Sequence, residues 1–267
     1  MEPQPKQQWL FEYRTDAGRV RELNEDACLC NPELGLWVVA DGMGGHSCGE
    51  VASALAIDSI EKGIISGESL SDAVQQAHLD ILAEAGRGNG ADGMGTTVVA
   101  LKDHGEEFSV AWVGDSRGYV WDDATGRLSQ ITQDHSLVER LLSSGLISAD
   151  EAKSHPQRHL ITQCLGSKEL ERVKVEEVIL DWQPQQVLLL CSDGLTEELT
   201  DNDMQTIFSA QADLEKSADR LLRMALNKGG QDNISIILVQ SPKPRPKGLS
   251  GMLYRIKVGF KKAFSRS

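Results

Sequence analysis

Short apolar runs and longer segments of helical period share this chain, which predicts a mixed α and β fold. Five consecutive apolar residues, Leu36 to Ala40, are typical of a strand covered on both faces. Further apolar or alternating runs predict strands near residues 9–15, 27–29, 96–101, 107–113, 118–121, 128–132, 173–180, 187–191 and 234–239. Apolar positions with a period near 3.6 predict helices at residues 49–62, 70–85, 200–209 and 214–227.

Polar residues and glycines mark the expected ends of these helices. Gly63 is expected to end the first helix, and Ser69 or Ser71 to cap the second. Ser148 and Glu151 have the spacing of a capping box. Residues 133–170 are helical and irregular within a strand-rich region, and we interpret them as an insertion over the sheet edge.

Length and composition indicate an ordinary globular protein. The chain has 267 residues, of which 40% are hydrophobic and 25% charged, enough for one large domain or two small ones. Its first eight residues are polar, so no signal peptide is expected. The five cysteines form no CxxC pair and are expected to be free thiols in a reducing cytosol.

The net charge of −13 is unevenly distributed. Residues 241–267 carry eight basic side chains and no acid, so residues 1–240 carry −21. An acidic body argues against nucleic acid as a partner. It suits a protein that gathers carboxylates to bind divalent cations.

Four aspartates stand at the ends of predicted strands, next to glycine or small polar residues: Asp41, Asp115, Asp193 and Asp232. If these ends lie side by side, the carboxylates repel one another unless cations neutralise them. Hard divalent ions with oxygen ligands, Mn²⁺ or Mg²⁺, meet that need. Two such ions a few ångströms apart activate a bridging water and stabilise a phosphoryl transition state.

Seven short motifs, four of which contain these aspartates, resemble those of one family when they are read in order. They are Arg21-x-x-Asn-Glu-Asp26, Ala40-Asp-Gly-Met-Gly-Gly-His46, Gly95-Thr-Thr97, Val113-Gly-Asp-Ser-Arg117, Asp134-His-Ser136, Cys191-Ser-Asp-Gly-Leu195 and Gly230-Gln-Asp-Asn233. Over about residues 12–240 the chain resembles the metal-dependent protein phosphatases of the protein phosphatase 2C type, most of all the bacterial Ser/Thr phosphatases.

The resemblance implies an α+β fold, a four-layer αββα sandwich of two mainly antiparallel sheets flanked by helices. It implies a phosphatase domain over residues 1–240, with residues 133–170 as a flap beside the site. The implied activity is hydrolysis of phosphoserine and phosphothreonine in proteins, by direct attack of a metal-bridging hydroxide and in opposition to a Ser/Thr kinase. The lack of a Cys-x5-Arg motif and of a phosphate-binding P-loop agrees with that mechanism.

The resemblance also implies roles for single residues. Asp41 matches the aspartate that bridges two metal ions, and Gly42 the residue whose carbonyl binds one of them. Asp193 and Asp232 match the other ligands of this pair, and Asp115 with Asp193 matches a third metal site. Arg21 matches the phosphate-binding arginine. Glu25 and Asp26 match acids that act around the metals, Asp26 mainly through water.

The histidines are harder to assign. Some family members carry a histidine directly after Asp-Gly as general acid, but here Met43 holds that place and His46 stands three residues further on. His46 either donates a proton to the leaving group and contacts substrate, or only lines the pocket. The others are expected to be structural or at the surface, with a local hydrogen-bonding role for His135.

Two alternatives stay open: a pseudophosphatase that binds phosphoproteins without turnover, and a phosphohydrolase of small molecules. The enzyme is expected to be a cytoplasmic monomer. Residues 241–267 predict a basic, proline-rich linker and an amphipathic helix from Leu249 to Arg266. This tail either docks on an anionic membrane surface or a partner protein, or packs on the acidic body or stays disordered.

Overall fold

Two antiparallel sheets form the centre of the molecule in the computed structural model, which describes residues 8–44, 48–87, 93–211 and 213–244. The strands in chain order are β1 (Phe11–Asp16), β2 (Asp26–Asn31), β3 (Leu36–Met43), β4 (Gly95–Thr96), β5 (Val98–Asp103), β6 (Glu107–Val113), β7 (Arg117–Asp122), β8 (Arg127–Gln130), β9 (Glu176–Asp181), β10 (Gln186–Cys191) and β11 (Ile234–Gln240). One sheet has the order β1-β11-β10-β7-β8. The other has the order β2-β3-β5-β6-β9, and the short β4 pairs with β3.

The helices in chain order are α1 (Cys48–Ile65), α2 (Leu70–Gly86), α3 (Leu137–Ser143), α4 (Ala149–Ser154), α5 (Asp193–Thr196), α6 (Asp201–Ala210) and α7 (Leu214–Lys228). α1 and α2 cover the outer face of one sheet, and α6 and α7 cover that of the other. Within the described ranges no helix is both long and apolar enough to cross a membrane.

Three apolar layers hold these elements together. The middle layer lies between the sheets and includes Trp37, Phe108 and Leu190. A second layer joins β3 and β5 to α1 and α2, and a third joins β10 and β11 to α6 and α7. Successive residues of β3 therefore alternate between two buried layers, which explains its unbroken apolar run. The predicted αββα sandwich is confirmed.

The strand register brings the acids to one end of the sandwich. Asp26 opens β2 and pairs with Asp41 near the end of β3. β10 ends where its antiparallel partner β11 begins, so Asp193 and Asp232 lie at the same end of the other sheet. β6 ends beside the start of β5, which places Asp115 at that end as well.

Some predicted boundaries are wrong. β3 continues through Met43, so Asp41 and Gly42 belong to the strand and do not follow it. Gly63 does not end α1; it is buried inside that helix, where an added Cβ would lie 2.8 Å from Cβ of Ala73. The glycine allows α1 and α2 to approach closely.

Other elements start or stop at different residues than predicted. The predicted strand 96–101 is divided into β4 and β5, and the strand at 173–180 starts at Glu176. The caps at Ser69 and Ser148 are confirmed, and Thr200 caps α6 in the same way.

The segment 133–170 is anchored to the apolar layer that joins β3 and β5 to α1 and α2. Leu165 is buried and forms an antiparallel bridge with Thr96. The buried ring of His78 accepts a hydrogen bond from the Gly166 amide at Nδ1 (3.0 Å), and its Nε2 lies 3.0 Å from the Leu170 carbonyl oxygen. His78 is structural, as expected, while the flap interpretation and the domain limits stay predictions.

Candidate metal centre

Half-buried carboxylates face one another at the acid end of the sandwich. Burial raises the pKa of Asp41 well above its usual value, and the nearby charges of Asp26, Asp193 and Asp115 raise it further. Burial likewise raises the pKa of Asp193, followed by the charges of Asp115, Glu197 and Asp232. Each shift reflects first the burial of a carboxylate and then the negative charges near it, and a bound cation would relieve both costs.

The pKa values of two more carboxyl groups, those of Asp26 and Asp115, are also raised. Burial raises the pKa of Asp26 to about 6, although Ser192 Oγ donates a hydrogen bond to its Oδ2 (2.8 Å). The other oxygen, Oδ1, is buried without a hydrogen-bond partner among the residues described. Burial, and then the charge of Asp134, raises the pKa of Asp115 to about 6. These groups are therefore acceptors suited to a cation or its waters.

The donor set fits a hard divalent ion. In the part of the chain that the structure describes, no three His, Cys, Asp or Glu side chains are grouped tightly enough to enclose an ion by themselves. Carboxylates completed by a backbone carbonyl and by water suit Mg²⁺ and Mn²⁺, because Mg²⁺ usually keeps several waters and carboxylate, carbonyl and water oxygens suit both ions.

Gly42 sits in a cradle that has no room for a side chain. A Cβ there would lie 2.2 Å from the Gly49 carbonyl oxygen and 2.5 Å from that of Glu25. The Gly42 amide donates to the Glu25 carbonyl (3.2 Å), and Ser53 Oγ donates to the same oxygen (2.6 Å). The start of α1 and the end of β3 are thereby packed directly against Glu25.

Arg21 lies at the rim of this cluster. Its Nη2 donates to Oδ2 of Asp232 at 2.6 Å, and that hydrogen bond raises the pKa of Arg21. The Arg21 side chain keeps 53% of its surface exposed. A fixed, solvent-facing guanidinium beside the acids is suited to bind a phosphoryl group.

The loop before β2 is held by Asn233, to which sequence reasoning gave no role. Asn233 Nδ2 donates to the carbonyls of Ala17 (3.0 Å) and Leu23 (2.8 Å), and its Oδ1 accepts from the Glu25 amide (2.8 Å). Ser192 was missed in the same way, although its hydroxyl also accepts a hydrogen bond from the Ser235 amide (2.9 Å). Asn233 follows Asp232 and Ser192 precedes Asp193, and these positions next to predicted metal ligands are the sequence feature that could have indicated their roles.

Replacing Asn233 should loosen this loop. Asn233→Ala leaves one amide and two carbonyls without their partner, so we expect unfolding free energy to fall by about 2 kcal/mol. Urea denaturation in the presence of a chelator measures this change. The exposed Asn227→Ala on α7 is the control, expected within about 0.5 kcal/mol of the original protein. Equal urea midpoints for the Asn233→Ala and Asn227→Ala variants would contradict the role of Asn233 in holding this loop.

His135 supports the loop that carries Asp115. Its Nδ1 accepts from the Gly114 amide (3.1 Å), and its own amide donates to the Gly114 carbonyl (2.8 Å). The local hydrogen-bonding role expected for His135 is confirmed. Arg117 adds a second support through a two-pronged contact with Asp134, with a closest distance of 2.7 Å. His46 lies outside the described residues.

Known proteins resemble this chain over most of its length. A family model described as Protein phosphatase 2C matches residues 16–238. The chain belongs to the protein phosphatase 2C family. The Serine/threonine phosphatase stp of Listeria welshimeri is 36% identical over 242 residues, which cover 86% of this chain and 94% of that protein.

Solved structures agree as well. The crystal structure of the Mycobacterium tuberculosis phosphatase PstP superposes with a TM-score of 0.79 at 34% identity, covering 87% of this chain and 98% of that one. A crystal structure of the PstP catalytic domain with two manganese ions gives a TM-score of 0.76 at 32% identity, covering 87% and 97%. The chain is a protein serine/threonine phosphatase of the bacterial type, while the roles of single residues remain predictions.

Proposed function

We propose that this phosphatase hydrolyses phosphoserine and phosphothreonine in proteins directly, without a phosphorylated enzyme. Asp41, the Gly42 carbonyl, Asp193 and Asp232 would hold two core Mn²⁺ or Mg²⁺ ions. Asp115 and Asp193 would hold a third. The supporting observation is the convergence of Asp41 and Asp193, whose carboxyl groups carry raised pKa values in one half-buried cluster.

The bound ions would lower the pKa of a water held between them, so that hydroxide attacks phosphorus, and would offset the phosphoryl charge. Arg21 would orient the phosphoryl oxygens, and Asp232 holds that guanidinium in place. Glu25 and Asp26 would order water around the ions. Burial raises the pKa of the thiols of Cys28, Cys30 and Cys191 to about 12, so they stay protonated and are poor nucleophiles.

Several finer points stay predictions. His46 would either protonate the leaving alkoxide or line the pocket. The enzyme would be a monomer that reverses a Ser/Thr kinase. Of the tail, the structure describes only residues 241–244, where Lys243 Nζ contacts Glu106 Oε2 at 2.5 Å. Docking of the remaining tail on a membrane or partner lies outside the described residues.

Phosphate release from phosphothreonine peptides tests the proposal. We expect turnover with Mn²⁺ or Mg²⁺, and loss of at least about 100-fold in excess chelator, because the metals supply several kcal/mol of transition-state stabilisation. Peptide binding without metal-dependent release would favour a pseudophosphatase. Hydrolysis of small phosphate esters but of no phosphopeptide would favour a small-molecule phosphohydrolase.

A further inference from the structure

Two exposed aliphatic side chains flank Arg21 in the chain. Val20 keeps 60% of its surface exposed and Leu23 keeps 50%. Single exposed apolar residues are common on protein surfaces. These two differ because they belong to the nine-residue loop 17–25, which carries Arg21, the residue proposed to bind phosphate, to the acid cluster.

Hydrogen bonds hold the backbone of this loop at both ends. The Arg19 amide donates to the Gly230 carbonyl (2.8 Å), and Arg19 Nε donates to the Leu226 carbonyl (2.7 Å). Asn233 binds the carbonyls of Ala17 and Leu23. The loop is therefore held against the end of α7 and the segment that follows it, so its exposed aliphatic side chains stand on an anchored backbone.

Gly18 shows how closely the loop approaches that segment. Its φ is +78°, and a Cβ there would lie 2.3 Å from the Asp232 carbonyl oxygen. This close approach to Asp232 holds the start of the loop that carries Val20, Arg21 and Leu23. Preorganised apolar groups bind a partner with less loss of conformational entropy than mobile ones.

We propose that Val20 and Leu23 form an apolar contact surface for the residues that adjoin the phosphorylated residue of a protein substrate. This proposal rests on the proposed function, since Arg21 must bind the phosphoryl group for its neighbours to meet the flanking residues. The occupant is an extended phosphopeptide segment with aliphatic side chains beside phosphothreonine or phosphoserine.

The negative charge of the protein disfavours substrates that carry acidic residues beside the phosphorylated residue. Exposed Glu22 lies between the two aliphatic residues and balances the charge of exposed Arg19 before Val20, while Asp232 and Glu25 lie next to Arg21. The body of the chain carries −21 over residues 1–240, of which two or three bound divalent ions would offset only four to six charges. An acidic residue beside the phosphate would meet this field and gain no apolar contact, whereas an aliphatic residue would bury surface against Val20 or Leu23.

Three phosphothreonine peptides that differ only in their flanking residues test the proposal. The first has leucine and valine beside phosphothreonine, the second has serine and the third has glutamate. We expect kcat/KM for the aliphatic peptide to exceed that for the glutamate peptide by about 10-fold or more, with serine between them. The double variant Val20→Ser, Leu23→Ser should lose about 5- to 10-fold for the aliphatic peptide and little for the serine peptide. Its turnover of para-nitrophenyl phosphate, which has no flanking residues, should be unchanged.

Ile179→Ser is the matched control. Ile179 is an aliphatic residue that is 61% exposed on β9, an edge strand of the sheet that does not contain β11. It should leave all three peptide rates unchanged. Thermal melts check folding, and Val20→Ala with Leu23→Ala gives a milder second variant.

Equal losses for all three peptides, or an unchanged preference, would overturn the apolar surface while leaving the phosphatase assignment intact. A change in sedimentation of the double variant with no change in preference would assign the surface to a second copy of the chain and also overturn it. If the unaltered enzyme releases phosphate from none of the peptides, the proposed function itself fails.

Discussion

Asp41→Asn is expected to lower Mn²⁺-dependent release of phosphate from a phosphothreonine peptide by about 1,000-fold or more, because it removes the ligand proposed to bridge both core ions. The amide is isosteric with the carboxyl group, so packing around β3 is preserved. Asp41 lies among Asp26, Asp193 and Asp115. Losing one of these charges should leave the metal-free protein at least as stable as before, since like charges repel.

The measurement pairs turnover with thermal unfolding. Added Mn²⁺ should raise the melting temperature of the unaltered protein, since a ligand that binds only the native state stabilises it. It should do so far less for the variant. Asp181→Asn, at the exposed end of β9, is the control and should change neither quantity. Near-normal turnover by Asp41→Asn would refute the assignment of Asp41 as the bridging ligand.

Gly42→Ala is expected to lower the free energy of unfolding by about 3 kcal/mol or more, the upper range for an overpacked site. The added methyl group would overlap backbone oxygens of Gly49 and Glu25 at 2.2 and 2.5 Å. A backbone atom cannot rotate away as a side chain does, so β3 would have to separate from α1 or from the loop that ends at Glu25. We expect the melting temperature to fall by about 10 °C for a chain of this length.

Gly86→Ala is the matched control for this substitution. It makes the same chemical change at the end of α2, where an added Cβ meets no atom within 4 Å. There the change should be neutral or stabilising by up to about 1 kcal/mol. If Gly42→Ala unfolds at the same temperature as the unaltered protein, the close packing of β3 on α1 is contradicted.

Much of the fold was predictable because local patterns agreed with the tertiary environment. The run from Leu36 to Ala40 predicted a strand buried on both faces, and β3 is such a strand. Ser69, Ser148 and Thr200 cap helices because their side chains accept a backbone hydrogen bond from three residues ahead, a contact that needs no distant partner.

The sequence by itself also predicted which acidic residues would gather at one site. The aspartates at strand ends predicted a shared site, and strands of one sandwich do place their ends together. The side chains that support this site were not predictable in role. Asn233 braces carbonyls more than 200 positions away along the chain, and no local pattern encodes such a partner.

Only the tertiary structure decided which backbone atoms meet. Gly63 reads as a helix end, yet it lies inside α1 because α2 packs against it there. Asp41 and Gly42 read as a turn after a strand, yet β2 and β4 pair with them and extend β3 through Met43. The spacing of residues along the chain reflects local preferences for helix, strand and turn. Contacts between distant segments arise from close packing, and those contacts fix the position of each carboxylate.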